Sequence, residues 1–355
     1  MTTPQRTLEH IERCPLCGSI PGKPMMRVRD RNCGLPGQFA LVCCSGCGLV
    51  MLSPRPARSE LRDYYPKEYY AYQAPAPTAP RHRSGLAGRM RDAVRNQVLR
   101  DLGYSTPPAS GLARLLVPAL VPLFRTRGTY GLGIRFPRAV EGGRALDVGC
   151  GNGAYLSYLK RHGWHVEGVD LSEAAARSAD GAFGIPVRVG AFDELAFARA
   201  EYDWVHMSHV IEHLPDPVAS LARVFDLLKP GGALYIETPN AESFSLPFCG
   251  EFWFPWEAPR HLFVFTPSTL VAALERRGFV VRVMRSRAFQ GLYAWEDTYR
   301  REHTLGVRLQ SRPALSPSAH PRAWLLTGAA GLMRLVRPLS GDILECVAHK
   351  PGAAA

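Results

Sequence analysis

The sequence lacks any apolar run long enough to cross a membrane. Its longest clean stretch, Leu115 to Phe124, is ten residues and is interrupted by Pro118 and Pro122, where a spanning helix needs about 20. No segment repeats, and the polar first residues contain nothing like the apolar core of a secretory leader. These absences lead to the expectation of a cytoplasmic protein. Lysine is missing altogether from residues 81–140, which hold eleven arginines and two aspartates and so carry a net +9 of the chain's formal +12. A basic block of this kind suits an anionic partner, whether a lipid head group, a phosphorylated substrate or nucleic acid, or is a solvated helical face. The 355 residues, 46% of them hydrophobic, suffice for one large domain with smaller additions.

The nine cysteines, an odd number, gather early in the chain, which favours metal binding in a reducing compartment over disulfides. Cys14-Pro-Leu-Cys17-Gly and Cys44-Ser-Gly-Cys47-Gly are two knuckles. Each presents two thiolates to one metal, and the glycine after the second cysteine permits the tight turn. Four thiolates make a closed tetrahedral set that suits structural Zn²⁺ and keeps no position for a catalytic water. Cys43 is an alternative to Cys44 but lacks its register with Cys47, and Cys33 is read as a spare thiol. The expected zinc ribbon spans 1–52, has little core, and should need its metal to fold. A Pro- and Arg-rich linker and helical cap then spans 53–140. In it Tyr64, Tyr65, Tyr69, Tyr70 and Tyr72 crowd around Pro66, either packing a small domain onto a large one or forming a stacking platform.

The stretch Arg144 to Gly153 is the most informative. Ala145 to Val148 reads as a buried strand, Gly149, Gly151 and Gly153 as a tight glycine turn, and Ala154 to Arg161 as a helix stopped by Gly163. A strand, glycine turn and helix open a nucleotide-binding sheet. The spacing Gly149-x-Gly151-x-x-Ala154 formally fits a dinucleotide, yet Asp147 at the strand end would repel a pyrophosphate and attract the ammonium group of a sulfonium amino acid. A second strand, 164–169, leads into Asp170, nineteen residues beyond Gly151, where an acid meets ribose hydroxyls. Further strands are expected at 186–189, 203–208, 232–238, 279–285 and 342–348, and helices at 152–162, 172–182, 217–228 and 267–277. Lys229-Pro-Gly-Gly232 reads as the turn ending the third of these helices, and Thr266-Pro267 as an N-cap with Pro at the first helical position. The core is expected over 141–285, followed by a helical insertion and final strand over 286–355. From 298 to 341 that insertion holds seven arginines and one glutamate.

The pattern Asp147-x-Gly149-x-Gly151-x-Gly153 resembles the S-adenosylmethionine (SAM) loop of class I methyltransferases. The tracts Asp203 to Pro217, Leu228 to Gly232 and Pro259 to Pro267 resemble bacterial members of that family that begin with a zinc ribbon. The resemblance implies a doubly wound α/β sheet of six parallel strands and one antiparallel. It also implies that residues 147–153, Cys150 among them, hold the methionine part of SAM, and that Asp170 holds the ribose. Leu171 and Phe192 would flank the adenine, and Ser208 and His209 would face the methyl group. Where the family usually places an acid beside the adenine amine, this chain reads Ala191-Phe192, with Asp193 next.

Methyl transfer is an in-line displacement from an activated sulfonium, so the protein supplies alignment, desolvation and a base for the acceptor proton. His209, His261 and His213 are the candidate bases, with Glu212 able to orient His213. A metal set of Glu212, His213 and Asp216 is an alternative use of that turn, and His213 pinning the turn is another. The aromatic tract Phe252 to Trp256 lines the acceptor pocket, packs on the core as a lid, or does both. The expected acceptor is an anionic small molecule or saccharide, methylated on oxygen, with the basic segments touching the inner face of a membrane. The alternatives are a nucleic-acid-binding, RNA-modifying methyltransferase that uses the ribbon and the arginine block, and a non-catalytic SAM sensor.

Overall fold

The computed structural model describes residues 7–65, 85–109, 111, 114–118, 120–121, 136–288, 296, 298–300, 303 and 321–352. The expectations for Tyr69, Tyr70, Tyr72, the Pro-rich linker 74–80 and residues 119 and 122–124 of the Leu115 to Phe124 run lie outside the described residues. The chain divides into two compact units, Met1–Tyr69 with Ser208–Arg223 and Ile236–Cys346, and Tyr70–Met207 with Val224–Tyr235 and Val347–Ala355. Each is assembled from three separated stretches. The reason is visible in the pairing, since late residues complete early sheets.

In the first unit, β1 (Leu8–Glu9) pairs with β5 (Arg55–Pro56), and β2 (Pro21–Val28), β3 (Phe39–Cys44) and β4 (Val50–Leu52) form an antiparallel ribbon. That ribbon acquires a fourth strand from far along the chain, β11 (Phe263–Val264), with Phe263 opposite Met51. Phe39, Leu41, Leu49, Met51 and Phe263 are all buried. The Arg260 guanidinium bonds both oxygens of the buried Asp30 at 3.1 and 2.7 Å, reaches the Tyr64 carbonyl and pairs with Glu257. Charges this deep persist only when donors face acceptors.

The second unit carries the predicted opening unit. Strand β6 (Arg144–Val148) leads through the glycine turn into α2 (Ala154–Lys160), and β7 (His165–Asp170) into α3 (Glu173–Phe183), which Ser172 caps by accepting from the Ala175 N–H. β8 (Val187–Val189) follows, and α1 (Leu86–Asp101) lies upstream in the same unit. Further along the chain come β9 (Tyr202–Ser208), α4 (Pro217–Leu227), β10 (Leu228–Pro239), α5 (Pro267–Glu275), β12 (Val280–Arg287), α6 (Pro321–Val336) and β13 (Ile343–His349), of which α5, β12 and α6 belong to the first unit.

The seven-stranded sheet has the order β12-β13-β10-β9-β6-β7-β8 and is mostly parallel, with one antiparallel strand. It is the doubly wound class I sheet. Strand order reverses between β6 and β9, which pair in parallel with Asp147 opposite His206, and ligands in such sheets bind beyond the carboxyl ends of strands at that reversal. Lys229-Pro-Gly-Gly232 falls within the span of β10, not in a separate turn after α4. A Cβ at Gly232 would lie 2.9 Å from the Lys229 carbonyl oxygen and 3.1 Å from that of Tyr202, so glycine is what lets the chain turn and pair in one step. Thr266 and Thr269 form a reciprocal cap on α5 with Pro267 inside it. Among the described residues no helix is long and apolar enough to cross a membrane.

Candidate active site

The glycine turn folds as its sequence requires. Gly149, Gly151 and Gly153 have φ of 72, 52 and 75°, backbone that only glycine adopts without strain. They do different work. A Cβ on Gly153 would stand 2.8 Å from that of Ala179, so this glycine admits α3, whereas one on Gly151 would meet nothing within 4 Å. Gly151 therefore borders open space into which a ligand can come close to bare backbone. The Gly149 and Cys150 N–H groups both donate to the Val169 carbonyl, so the turn is anchored to β7. The Cys150 side chain is buried, and burial, reinforced by Asp147 and Asp170, pushes its thiol far up. Its contribution to a ligand site is its backbone alone.

Asp170 ends β7 beside this turn and accepts from the Gly151 N–H at 2.9 Å and the Ser172 N–H at 2.8 Å. Burial raises its pKa, and the neighbouring Asp147 adds to the rise against the two N–H bonds. Each oxygen keeps a lone pair for a ligand hydroxyl. Leu171 next to it is 43% exposed, an apolar surface suited to a purine face. Phe192 is buried 5.9 Å from Phe197, centroid to centroid, so the exposed apolar wall beside Asp170 is Leu171. A carboxylate at the end of β7, an open glycine cradle and an exposed leucine fit an adenosine.

Asp147 sits deeper than its motif implies. Its side chain is 3% exposed and bonds His206 Nδ1 at 2.6 Å. His206 went unnoticed in the sequence. Only the parallel pairing of 144–148 with 203–208, which local spacing does not specify, sets the two residues opposite each other.

In the first unit, the tract after β9 gathers four titratable groups. His209 has a left-handed φ of 56°, a strained conformation for a non-glycine residue. Its two ring nitrogens lie 3.2 Å from Glu212 and 3.3 Å from Glu237, both buried carboxylates, and the ring is 42% exposed. Burial alone would lower its pKa, but bonds and charges from Glu212 and Glu237 carry it up to about 10. Glu237 is further paired with Arg287. The two carboxylates thus favour the imidazolium form of His209, in which each ring nitrogen carries a proton toward one of them. Burial, then the neighbouring His261, pushes His213 down to about 4, so it is neutral near pH 7. Its Nδ1 lies 2.9 Å from the Tyr65 hydroxyl and 3.1 Å from the Arg260 carbonyl oxygen; an Nδ1–H donating to the carbonyl leaves the lone pair on Nε2. His261 makes the same kind of bond from Nδ1 to the Pro255 carbonyl at 2.7 Å. Glu212, His213 and His261 bring ligand atoms within 4.8 Å of one another, whereas Asp216 caps α4 by accepting from the Ala219 N–H. Trp253 and Trp256 are buried and pack edge to face, so these two rings belong to the core.

The four ribbon cysteines Cys14, Cys17, Cys44 and Cys47 also converge within 4.8 Å. Sulfur separations of 3.6 Å for Cys14–Cys47 and 3.3 Å for Cys17–Cys44 approach the roughly 3.8 Å edge of a tetrahedron with metal–sulfur bonds of about 2.3 Å. The two knuckles match: Gly18 N–H donates to the Cys14 carbonyl and Gly48 N–H to that of Cys44, with φ of 77 and 82° at the glycines. The Ser19 hydroxyl lowers the Cys17 thiol to about 6, while burial raises Cys14 to about 11. Cys43 and Cys33 stand outside the set.

Residues 130–282 match a family model described as a methyltransferase domain. That stretch holds the glycine turn, Asp170 and His209, and it is similar to methyltransferase domains. The domain is 36% identical over 116 residues to a ubiquinone biosynthesis O-methyltransferase of Hahella chejuensis, covering 31% of this chain and 49% of that protein. It is 32% identical over 160 residues to the protein of that name from Dinoroseobacter shibae, covering 42% and 64%. The match thus spans about half to two-thirds of those relatives. Among solved structures, an S-adenosylmethionine-dependent methyltransferase from Mesorhizobium loti aligns with a TM-score of 0.41 and 20% identity, over 65% of this chain and 97% of that one.

Proposed function

We propose that the protein transfers a methyl group from SAM to a hydroxyl oxygen of a small molecule or saccharide. The observation that carries this reading is the Asp170 carboxylate locked beside the open Gly151 backbone at the end of β7. When bound, SAM supplies an activated methyl carbon. The chain's own residues do the rest: Asp170 receives the ribose hydroxyls, Leu171 covers a base face, and Asp147 answers the ammonium group. His213, neutral and tautomerically fixed through Nδ1, is the group suited to take the acceptor proton on Nε2. His261 is its alternate, and His209 serves as a fixed cation in place of a base. The names of the two relatives support oxygen as the methylated atom.

The four-cysteine cluster is assigned to structural Zn²⁺, since four thiolates close a tetrahedron and leave no open position for chemistry. Transfer of labelled methyl from SAM into a panel of phenolic and sugar hydroxyls tests the reading. Wild type should label one acceptor class on oxygen, and His213→Ala should lower kcat by roughly 10²–10⁴. Labelling confined to RNA, with binding that falls steeply with salt, would instead establish the nucleic-acid reading.

A further inference from the structure

Behind the glycine turn lies a buried dyad that methyl transfer as described does not use. His206 and Asp147 sit opposite each other on β9 and β6, joined at 2.6 Å and each 3% exposed. The His206 ring is stacked by Tyr155 at 3.8 Å and 20° and by Tyr235 at 5.0 Å and 6°. Tyr155 stands at the start of α2, just past the turn, and its hydroxyl accepts from Trp204 Nε1 at 2.8 Å. The other imidazole nitrogen, Nε2, is buried and has no hydrogen-bond partner among the described residues. A buried polar atom left unsatisfied costs stability, and an apolar ring would fill the same slot without that cost. The histidine is therefore there for its Nδ1.

We propose that His206 is a positioning residue for the amino-acid end of the cofactor: its Nδ1–H fixes Asp147 through Oδ1, so that Oδ2 meets the ligand ammonium. This rests on the SAM reading above. A carboxylate at a strand end has two rotatable oxygens and can swing toward any local donor. One strong bond to Oδ1 from a ring clamped by two tyrosines removes that freedom before the ligand arrives, which is how preorganisation raises affinity. The charge balance agrees. Asp147 and Asp170 act on each other, as the upward push of Asp147 on Asp170 shows. An imidazolium at 206 would bury a second N–H without an acceptor and cancel the charge that the ammonium needs. An Nδ1–H toward Asp147 Oδ1 makes the bond without needing a second acceptor.

The test compares two ligands by calorimetry on the full-length, zinc-loaded protein: S-adenosylhomocysteine, which has the amino-acid end, and 5′-methylthioadenosine, which lacks it. His206→Phe keeps the stacked ring and drops the donor; His206→Asn restores a donor near the Nδ1 position. His206→Phe is expected to weaken S-adenosylhomocysteine roughly ten- to a hundredfold, the loss of one charge-assisted bond, and to leave methylthioadenosine within about twofold, with His206→Asn recovering part of the loss. Equal weakening of both ligands, or none of either, in a folded His206→Phe variant would overturn the proposal. Wild-type protein that binds neither ligand would reject the SAM reading itself, and this proposal with it.

Discussion

His209 and His213 are four residues apart and do opposite things, because their partners differ. His209 faces two buried carboxylates and gains a proton; His213 faces a tyrosine hydroxyl, a carbonyl and another histidine and loses one. Residue type made both of them candidate bases, and only the environment separates them. The consequence for stability has a definite sign. A histidine whose folded pKa is raised contributes stability that is complete below its unfolded value, near 6.5, and is lost as pH climbs through the folded value of about 10. Urea unfolding of wild type should therefore show a greater loss between about pH 7 and 10 than His209→Gln does. Parallel curves for the two proteins would mean that His209 is not held as an imidazolium.

At the scale of elements, the glycine turn and the cysteine knuckles were legible because their chemistry is local. Spacing alone places Asp147, Gly149, Gly151 and Gly153 on a strand and its turn, and the four cysteines on two matching loops. What spacing cannot reveal is which strand lies beside which. The partners His206 for Asp147 and Glu237 for His209 come from other strands, and the ribbon's fourth strand comes from residues 263–264. The Phe252 to Trp256 tract was ambiguous for the same reason, since aromatic composition does not say whether a ring faces a pocket or a core.

The two glycines of the turn give a test at this scale. Gly153→Ala, with its Cβ 2.8 Å from that of Ala179, should lower stability by about 1–3 kcal/mol through overpacking and left-handed strain. Gly151→Ala has room for its methyl, so it should cost only about 1 kcal/mol yet weaken SAM binding strongly. Thermal melts and calorimetry on both variants read the difference. The ribbon gives another. Stripping the metal with a chelator, or replacing Cys44 with serine, should lower Tm and release one zinc per chain, while Cys33→Ser should do neither. Retention of zinc by Cys44→Ser would transfer the fourth ligand to Cys43.

At the scale of the whole molecule, the ribbon is not an independent bead at the N-terminus. Its sheet is completed by β11, and its Asp30 neutralises Arg260 in the tract that follows the aromatic run. The cysteine set, the Arg260 network and the His213 cluster thus belong to one compact unit, so metal loss should be felt in the His213 cluster as well as in the ribbon. Asp30→Ala strands a buried guanidinium and should cost about 3–5 kcal/mol, whereas replacing Asp30 and Arg260 together by leucine and methionine should cost much less. Equal losses in the two variants would mean that the pair is not electrostatically coupled.

The central claim is that the glycine turn and Asp170 hold SAM. Calorimetric titration of the zinc-loaded protein with SAM and with NAD, beside Asp170→Ala, tests it most directly. The structure predicts one SAM per chain, no NAD, and loss of SAM binding in a variant that still melts cooperatively. Absence of SAM binding by folded wild type, or NAD binding in its place, would contradict the account.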